Sequence, residues 1–131
     1  MKKILIVDDE QGILDVWVMQ IQLWKLPVEI HTATNGLDAL QLVTVNGNYD
    51  AIITDYRMPV MDGLEFIRRV KENERHISTP IFFFTGFMPE LTSHIDRLNN
   101  VMLFEKPMIS EKMKTYIRMA ICEDVRPIEA F

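Results

Sequence analysis

Residues 4–9 read Ile4-Leu5-Ile6-Val7-Asp8-Asp9, so four apolar side chains run directly into two carboxylates. An unbroken apolar run of this length is typical of a strand that is buried on both faces, as in a parallel sheet. Residues 10–24 follow with apolar side chains at helical spacing, namely Ile13, Trp17, Ile21 and Trp24. The opening stretch therefore predicts a buried β-strand, a polar turn and then an amphipathic helix.

The same alternation continues along the chain. Four more short segments are predicted as strands, at 28–33, 51–54, 81–84 and 101–104. Four more helices are predicted: one opened by Asn35-Gly36 and closed by Asn46-Gly47-Asn48, one after Gly63, one at about 89–99 and one at about 109–122. Five strands that alternate with five helices predict an α/β fold, a doubly wound parallel sheet with flanking helices on both faces.

The composition limits the kind of protein this can be. The chain has 131 residues, with 14 Lys and Arg against 19 Asp and Glu, and so a net charge of −5. Its length fits one domain, and its acidic balance argues against non-specific binding to nucleic acid or anionic membranes. Cys122 is its one cysteine, which rules out an internal disulfide and favours a reducing compartment, the cytoplasm. No apolar run approaches the ~20 residues that span a bilayer.

Polar residues stand where the predicted strands end. Asp8 and Asp9 follow the first strand, Asp55 follows the third, Thr85 follows the fourth, and Lys106 comes just after the fifth. In a doubly wound sheet, ligands bind outside the carboxyl ends of the strands. If the central strands are neighbours, these five residues converge on one pocket.

Such a pocket would hold three carboxylates, which repel one another unless positive charge is placed among them. The Lys106 ammonium supplies one charge, and a hard divalent cation such as Mg²⁺ supplies two more, because it prefers oxygen ligands. The Thr85 hydroxyl and the Lys106 ammonium are donors that suit phosphoryl oxygens. One of the carboxylates could then act as a nucleophile and form an aspartyl phosphate.

Four stretches carry a family resemblance when they are taken together and in order. They are Ile4-Leu5-Ile6-Val7-Asp8-Asp9-Glu10, Thr54-Asp55-Tyr56-Arg57-Met58-Pro59-Val60-Met61-Asp62-Gly63, Phe84-Thr85-Gly86 and Phe104-Glu105-Lys106-Pro107. From about residue 2 to residue 122 the chain resembles the CheY-like receiver domain of two-component response regulators. The resemblance implies a flavodoxin-like receiver fold, with a receiver domain over residues 1–124 and a C-terminal tail over 125–131.

The resemblance also implies a phosphorylation site that contains a metal ion. Asp55 matches the phosphoacceptor, whose carboxylate is also a ligand of Mg²⁺. Asp9 matches the direct metal ligand, and Asp8 matches a ligand that acts mainly through water. The backbone carbonyl of Arg57 matches the third protein ligand.

The way such a domain works follows from the same resemblance. Thr85 matches the hydroxyl that moves to the phosphoryl group, and Lys106 matches the lysine that contacts it. The phosphoryl group comes from a histidine kinase or a histidine phosphotransfer protein, and the response is a change in contacts with an unknown output protein. The domain catalyses its own phosphorylation and dephosphorylation but is not an enzyme with a separate substrate. We expect a monomer or weak dimer with no direct contact to nucleic acid or membrane.

Two positions depart from the family pattern. The switch position, three residues before the lysine, is usually aromatic and here is Leu103. Phe104 is adjacent, but side chains alternate along a strand, so Phe104 should face the other side of the sheet. Gly86 follows Thr85 where alanine is common, which predicts a more open phosphoryl pocket.

Other interpretations stay open. Asp8 and Asp9 could simply cap the first helix. A receiver-like binding module would work without phosphorylation. A Mg²⁺-dependent phosphatase of the haloacid-dehalogenase-like group would also form an aspartyl phosphate. That group has a second Asp two positions after its nucleophile, where this chain has Glu10 or Arg57.

Two further groups of residues are interpreted as structural. His31, His76 and His94 lack metal-ligand spacing, and we interpret them as ordinary surface or edge residues. The first helix has apolar residues beyond its core stripe, namely Leu14, Val16, Val18, Met19 and Leu23. Flanking helices would cover part of this excess, and the alternative is a docking surface for a phosphodonor helix pair.

Overall fold

The computed structural model describes residues 2–46, 48–86, 98–105 and 111–121. Five strands run over Lys2–Val7 (β1), Val28–Ala33 (β2), Ala51–Asp55 (β3), Ile81–Thr85 (β4) and Val101–Glu105 (β5). Within these ranges, four helices run over Gln11–Leu23 (α1), Gly36–Asn46 (α2), Gly63–Lys71 (α3) and Glu111–Ile121 (α4). A short 3-10 helix covers Glu74–His76. All five predicted strands are present, with small differences at their ends.

The five strands form one parallel sheet in the order β2-β1-β3-β4-β5. Because β1 and β3 are neighbours, with Val7 opposite Thr54, the residues that follow this pair leave the sheet side by side. On the other side of β3, Asp55 lies opposite Phe84, the residue before Thr85. The predicted parallel sheet is confirmed, and its strand order brings the carboxyl ends of β1, β3 and β4 together.

Alternation along the central strands fills a hydrophobic core on each face of the sheet. One face buries Leu5 and Phe83 together with residues of α2 and α3. The other face buries Ile6 and Phe84 together with residues of α1 and α4. Successive strand positions are therefore apolar because both faces are covered, as the unbroken apolar runs predicted.

Parts of the prediction fall outside the described residues. The helix predicted at 89–99 is one of them, apart from its last two positions, which form a bend and a turn. Lys106, His94 and the predicted tail at 125–131 also lie outside. His31 lies on edge strand β2, as predicted. Across the described ranges, no helix is both long enough and apolar enough to cross a membrane.

His76 is buried, so the prediction that it is a surface or edge residue is wrong. It is 1% exposed, and its Nδ1 lies 2.9 Å from the Thr79 hydroxyl oxygen. The Lys71 ammonium holds the turn around it by donating hydrogen bonds to the main-chain carbonyls of His76, Ile77 and Thr79. The hydrogen bonds that hold this turn come from a lysine outside it, so periodicity along the chain does not reveal the turn or its buried histidine.

Candidate functional site

Three carboxylates meet at the carboxyl end of the sheet. Asp8 and Asp9 follow β1, Asp55 ends β3, and carboxylate oxygens from all three lie within 4.8 Å of one another. Asp8 is 3% exposed and Asp55 is 7% exposed, whereas Asp9 is open to solvent. The predicted convergence of these three residues is confirmed. We refer to them below as the acidic cluster.

Helix capping explains only part of this arrangement. Oδ1 of Asp8 accepts a hydrogen bond of 2.9 Å from the main-chain N–H of Glu10. Glu10 is the N-cap residue of α1, and its own side chain makes no capping hydrogen bond. Asp8 therefore shapes the turn into α1 with one of its oxygens. That role does not account for the gathering of two more carboxylates beside it.

The donor set of the acidic cluster fits the predicted metal ion. Two like charges about 4 Å apart repel by about 4 kcal/mol at an effective dielectric constant of about 20, so this cluster favours a counter-charge. Its side-chain ligands are all oxygens, and exposed Asp9 opens it to solvent. Mg²⁺ suits such a site because it prefers oxygen ligands and keeps several of its own waters.

Gly63 sets how closely α3 approaches the end of β3. A Cβ atom at residue 63 would lie 2.1 Å from the main-chain oxygen of Asp55 and 2.8 Å from the Phe83 ring. The Gly63 N–H also donates a hydrogen bond of 2.8 Å to the carbonyl of Tyr56. Gly63 therefore allows α3 to pack directly against the backbone of Asp55, a role that was not predicted from the sequence. The sequence feature that could have indicated this role is the pair Asp62-Gly63, with which α3 begins.

A pocket of about 470 Å³ lies beside the acidic cluster. It is lined by Asp9, Tyr56, Arg57, Met58, Pro59 and Asp62. Arg57, whose carbonyl is the predicted third metal ligand, thus lines the same pocket as Asp9 of the cluster. Ligation by that carbonyl remains a prediction. Tyr56 and Asp62 line the pocket without having been predicted as site residues.

The hydroxyl predicted for phosphoryl binding lies at the same edge of the sheet. Thr85 ends β4 and is 3% exposed. It follows Phe84, the register partner of Asp55, and it pairs with Glu105 at the end of β5. Lys106 comes after Glu105 and lies outside the described residues, so its part in the site remains a prediction.

The structure describes what surrounds the two positions that depart from the receiver pattern. Leu103 packs with Phe83 on one face of the sheet, and Phe104 stacks on Phe84 on the opposite face. The prediction that Leu103 and Phe104 face opposite sides is confirmed. At Gly86, a Cβ atom would meet no atom within 4 Å among the part of the chain that the structure describes, its own chain neighbours aside.

The apolar excess on α1 divides into a buried part and an exposed part. Leu14 is completely buried in the core, and Val18 is partly buried. Val16, Met19 and Leu23 are 49%, 60% and 67% exposed. Their spacing of three and four residues places them on one side of the helix. We call these three residues the α1 stripe.

Comparisons with known proteins agree with this geometry. The Transcriptional regulatory protein SrrA of Staphylococcus aureus is 39% identical to the chain over 84 residues. The match covers 64% of this chain and 32% of SrrA, so the chain spans about a third of the length of this curated relative.

Solved structures match over more of the chain. The chemotaxis protein CheY4 of Vibrio cholerae is 29% identical with a TM-score of 0.80, over 92% of this chain and 99% of that protein. The response regulator TrrA of Thermotoga maritima, solved in complex with Mg²⁺ and BeF, is 27% identical with a TM-score of 0.76, over 92% and 100%. The family model of the response regulator receiver domain matches residues 4–118. The chain therefore belongs to the response regulator receiver domain family of two-component systems.

Proposed function

We propose that this chain is a phosphoacceptor receiver, in which Asp55 takes a phosphoryl group from a histidine kinase or a histidine phosphotransfer protein. The observation that carries the proposal is the acidic cluster, whose oxygens lie within 4.8 Å of one another. Asp55 is the best nucleophile of the three by position, because β3 lies between β1, which leads to Asp8 and Asp9, and β4, which ends at Thr85.

The reaction uses side chains at the carboxyl end of the sheet. A carboxylate oxygen of Asp55 attacks phosphorus in line, a P–O bond forms, and the P–N bond to the donor histidine breaks. The Thr85 hydroxyl donates a hydrogen bond to a phosphoryl oxygen. The Lys106 ammonium offsets the negative charge of the product.

The residues of the site fit Mg²⁺ as the metal ion. Asp8, Asp9, Asp55 and the main-chain carbonyl of Arg57 would hold it, with water completing the shell. When bound, the ion supplies two positive charges that stabilise carboxylate and phosphoryl oxygens together. Phosphorylation then replaces the single negative charge of the Asp55 carboxylate with a phosphoryl group of about −1.5 to −2 charge, which draws Thr85 toward it and changes contacts with an output protein.

The α1 stripe is our candidate surface for the phosphodonor. It exposes three apolar residues on the helix that begins beside the acidic cluster, and exposed apolar patches mark interaction sites. We further propose a cytoplasmic domain over residues 1–124, because the single cysteine suits a reducing compartment. The domain would be a monomer or weak dimer that acts through protein partners without itself binding nucleic acid.

The experiment that tests the proposal measures the intact mass of the chain after incubation with Mg²⁺ and a small acyl phosphate. Asp55→Asn serves as the matched variant, because it keeps the shape of the side chain and removes the nucleophile. We expect a phosphoryl adduct in the native chain that requires Mg²⁺ and is absent from Asp55→Asn. Beryllofluoride, a stable mimic of the phosphoryl group, is added in a second series to detect a site whose adduct is short-lived.

Two outcomes would contradict the proposal. An adduct that persists in Asp55→Asn would mean that another residue is the phosphoacceptor. If neither a phosphoryl adduct nor beryllofluoride binding is detected, the chain is a binding module that works without phosphorylation.

A further inference from the structure

A row of aromatic rings starts beside the phosphorylation site and ends on α4. The Phe84 and Phe104 rings are stacked, with centroids 5.5 Å apart and an interplanar angle of 28°. Phe104 in turn meets the Tyr116 ring edge-on at 5.9 Å, and Phe84 meets the Trp17 ring at 5.4 Å. The row therefore links α1, β4, β5 and α4 on one face of the sheet.

The inner end of this row is fixed to the site through the main chain. The carbonyl of Phe84 accepts a hydrogen bond of 3.0 Å from the N–H of Tyr56, the residue after Asp55. The same peptide unit carries the N–H of Thr85. A movement of Thr85 toward a phosphoryl group on Asp55 would therefore turn the peptide to which Phe84 belongs.

The opposite face of the sheet has no matching row among the described residues. There Phe83 meets the Tyr56 ring edge-on at 5.8 Å, but its register partner on β5 is the aliphatic Leu103, so the rings do not continue onto β5. The interaction energy of an aromatic pair depends on the distance and the angle between its two rings. A small rotation of Phe84 therefore changes the energy of its contact with Phe104, whereas Leu103 offers only non-directional packing.

The residues at the outer end of the row are less tightly enclosed than Phe84. Phe84 is completely buried, but Phe104 and Tyr116 are only partly buried, and the Lys112 ammonium lies 6.0 Å from the centroid of the Tyr116 ring. We propose that phosphorylation at Asp55 is transmitted to α4 through Phe84, Phe104 and Tyr116. This relay rests on the proposed function, since it needs an occupied phosphorylation site.

The test uses the whole chain labelled with ¹⁵N and titrated with beryllofluoride in the presence of Mg²⁺. The ¹⁹F signal of bound beryllofluoride reports occupancy of the site, amide shifts over residues 112–117 report α4, and the indole N–H of Trp17 reports the α1 end. Phe104→Leu breaks the row, Tyr116→Leu removes only its outer end, and Leu103→Met is the matched change on the opposite face.

We expect Phe104→Leu to bind beryllofluoride with the α4 shift changes reduced to less than half. Its affinity for beryllofluoride should rise by up to about fivefold, because coupling is reciprocal and binding no longer has to move α4. Tyr116→Leu should lose the α4 response and keep the response of Trp17. Leu103→Met should respond like the native chain.

The relay is wrong if α4 responds as strongly in Phe104→Leu as in the native chain, or if Leu103→Met alone loses the response. Should Phe104→Leu fail to fold, Tyr116→Leu decides the matter by the same comparison. Absence of a bound ¹⁹F signal in the native chain would overturn the proposed function, and the relay with it. A bound signal with an unchanged α4 response in the variants would overturn the relay alone.

Discussion

Gly63 lies where α3 approaches the backbone of Asp55 closely enough to exclude a side chain. In Gly63→Ala, the new methyl group would be forced against the Asp55 carbonyl, where the distance is 2.1 Å before any adjustment. We expect a loss of about 1–3 kcal/mol in the free energy of unfolding, as for other overpacked sites, and a smaller yield of phosphoryl adduct. Urea unfolding and intact mass measure the two effects.

Gly86→Ala is the control for this substitution. It adds the same methyl group at the same edge of the sheet, where no atom of the described residues, apart from its chain neighbours, lies within 4 Å of that group. Its stability should stay within about 0.5 kcal/mol of the native value, as for most unobstructed surface changes. Equal stability of the two alanine variants would contradict the close approach of α3 to β3.

The backbone conformation of Val60 could not be predicted from the sequence. It has a φ of 72°, in the left-handed region that β-branched residues rarely adopt, and it is 83% exposed. Nothing about valine indicates this conformation. It follows from the path of the chain between Asp55 and Gly63, both of which are held by packing on the sheet.

At the scale of elements, the strands were predictable because burial on both faces leaves an unbroken apolar run. The strand predicted at 51–54 is observed at Ala51–Asp55, and the strand predicted at 81–84 is observed at Ile81–Thr85. The 3-10 helix at Glu74–His76 was not predicted, because the lysine contacts around it are absent from any local pattern. An element whose own residues follow a periodic pattern can be predicted from the sequence. An element that is held by side chains from other parts of the chain cannot.

The α1 stripe leads to a prediction about the rate of phosphotransfer from a protein donor. Met19→Glu places a charge at the centre of the stripe, and we expect phosphotransfer from a purified histidine phosphotransfer protein to slow by about tenfold or more, the effect of losing a central interface contact. Phosphorylation by a small acyl phosphate should be unchanged, because that reagent needs no docking surface. Both rates can be followed by intact mass.

Val45→Glu on α2 is the matched variant for the stripe. Val45 is also apolar and is 72% exposed, but it lies on a different helix. It should leave both rates as they are in the native chain. If it slows phosphotransfer as much as Met19→Glu does, the docking surface is not α1.

The turn after α3 leads to a prediction about how stability depends on pH. Burial lowers the pKa of Lys71 from 10.5 to about 8 in the folded chain. Between these two values the unfolded chain binds more protons than the folded chain, so stability should rise as the pH increases through this window. Lys71→Met should remove that rise, and exposed Lys25→Met should retain it. Thermal unfolding between pH 7.5 and about 10 measures the effect, and an equal rise in all three proteins would contradict it.

At the scale of the whole molecule, the acidic cluster was predictable because topology alone brings it together. A doubly wound sheet gathers the carboxyl ends of its central strands, and the order β2-β1-β3-β4-β5 makes β1 and β3 neighbours. The pocket beside the cluster was not predictable in the same way. Tyr56 and Asp62 line it, and their places depend on how the loop after β3 packs.

The acidic cluster also makes the stability of the whole molecule depend on Mg²⁺. Its three carboxylates repel one another in the folded state, so Asp9→Asn should make the chain more stable than the native chain in EDTA, by up to about 1 kcal/mol for a solvent-exposed charge. Mg²⁺ at ten times its dissociation constant should stabilise the native chain by about 1.4 kcal/mol and Asp9→Asn by clearly less. Asp15→Asn removes an exposed carboxylate elsewhere on α1, and it should behave like the native chain in both conditions. If thermal unfolding finds Asp9→Asn no more stable than the native chain in EDTA and equally stabilised by Mg²⁺, the cluster is neither a repulsive site nor the metal site.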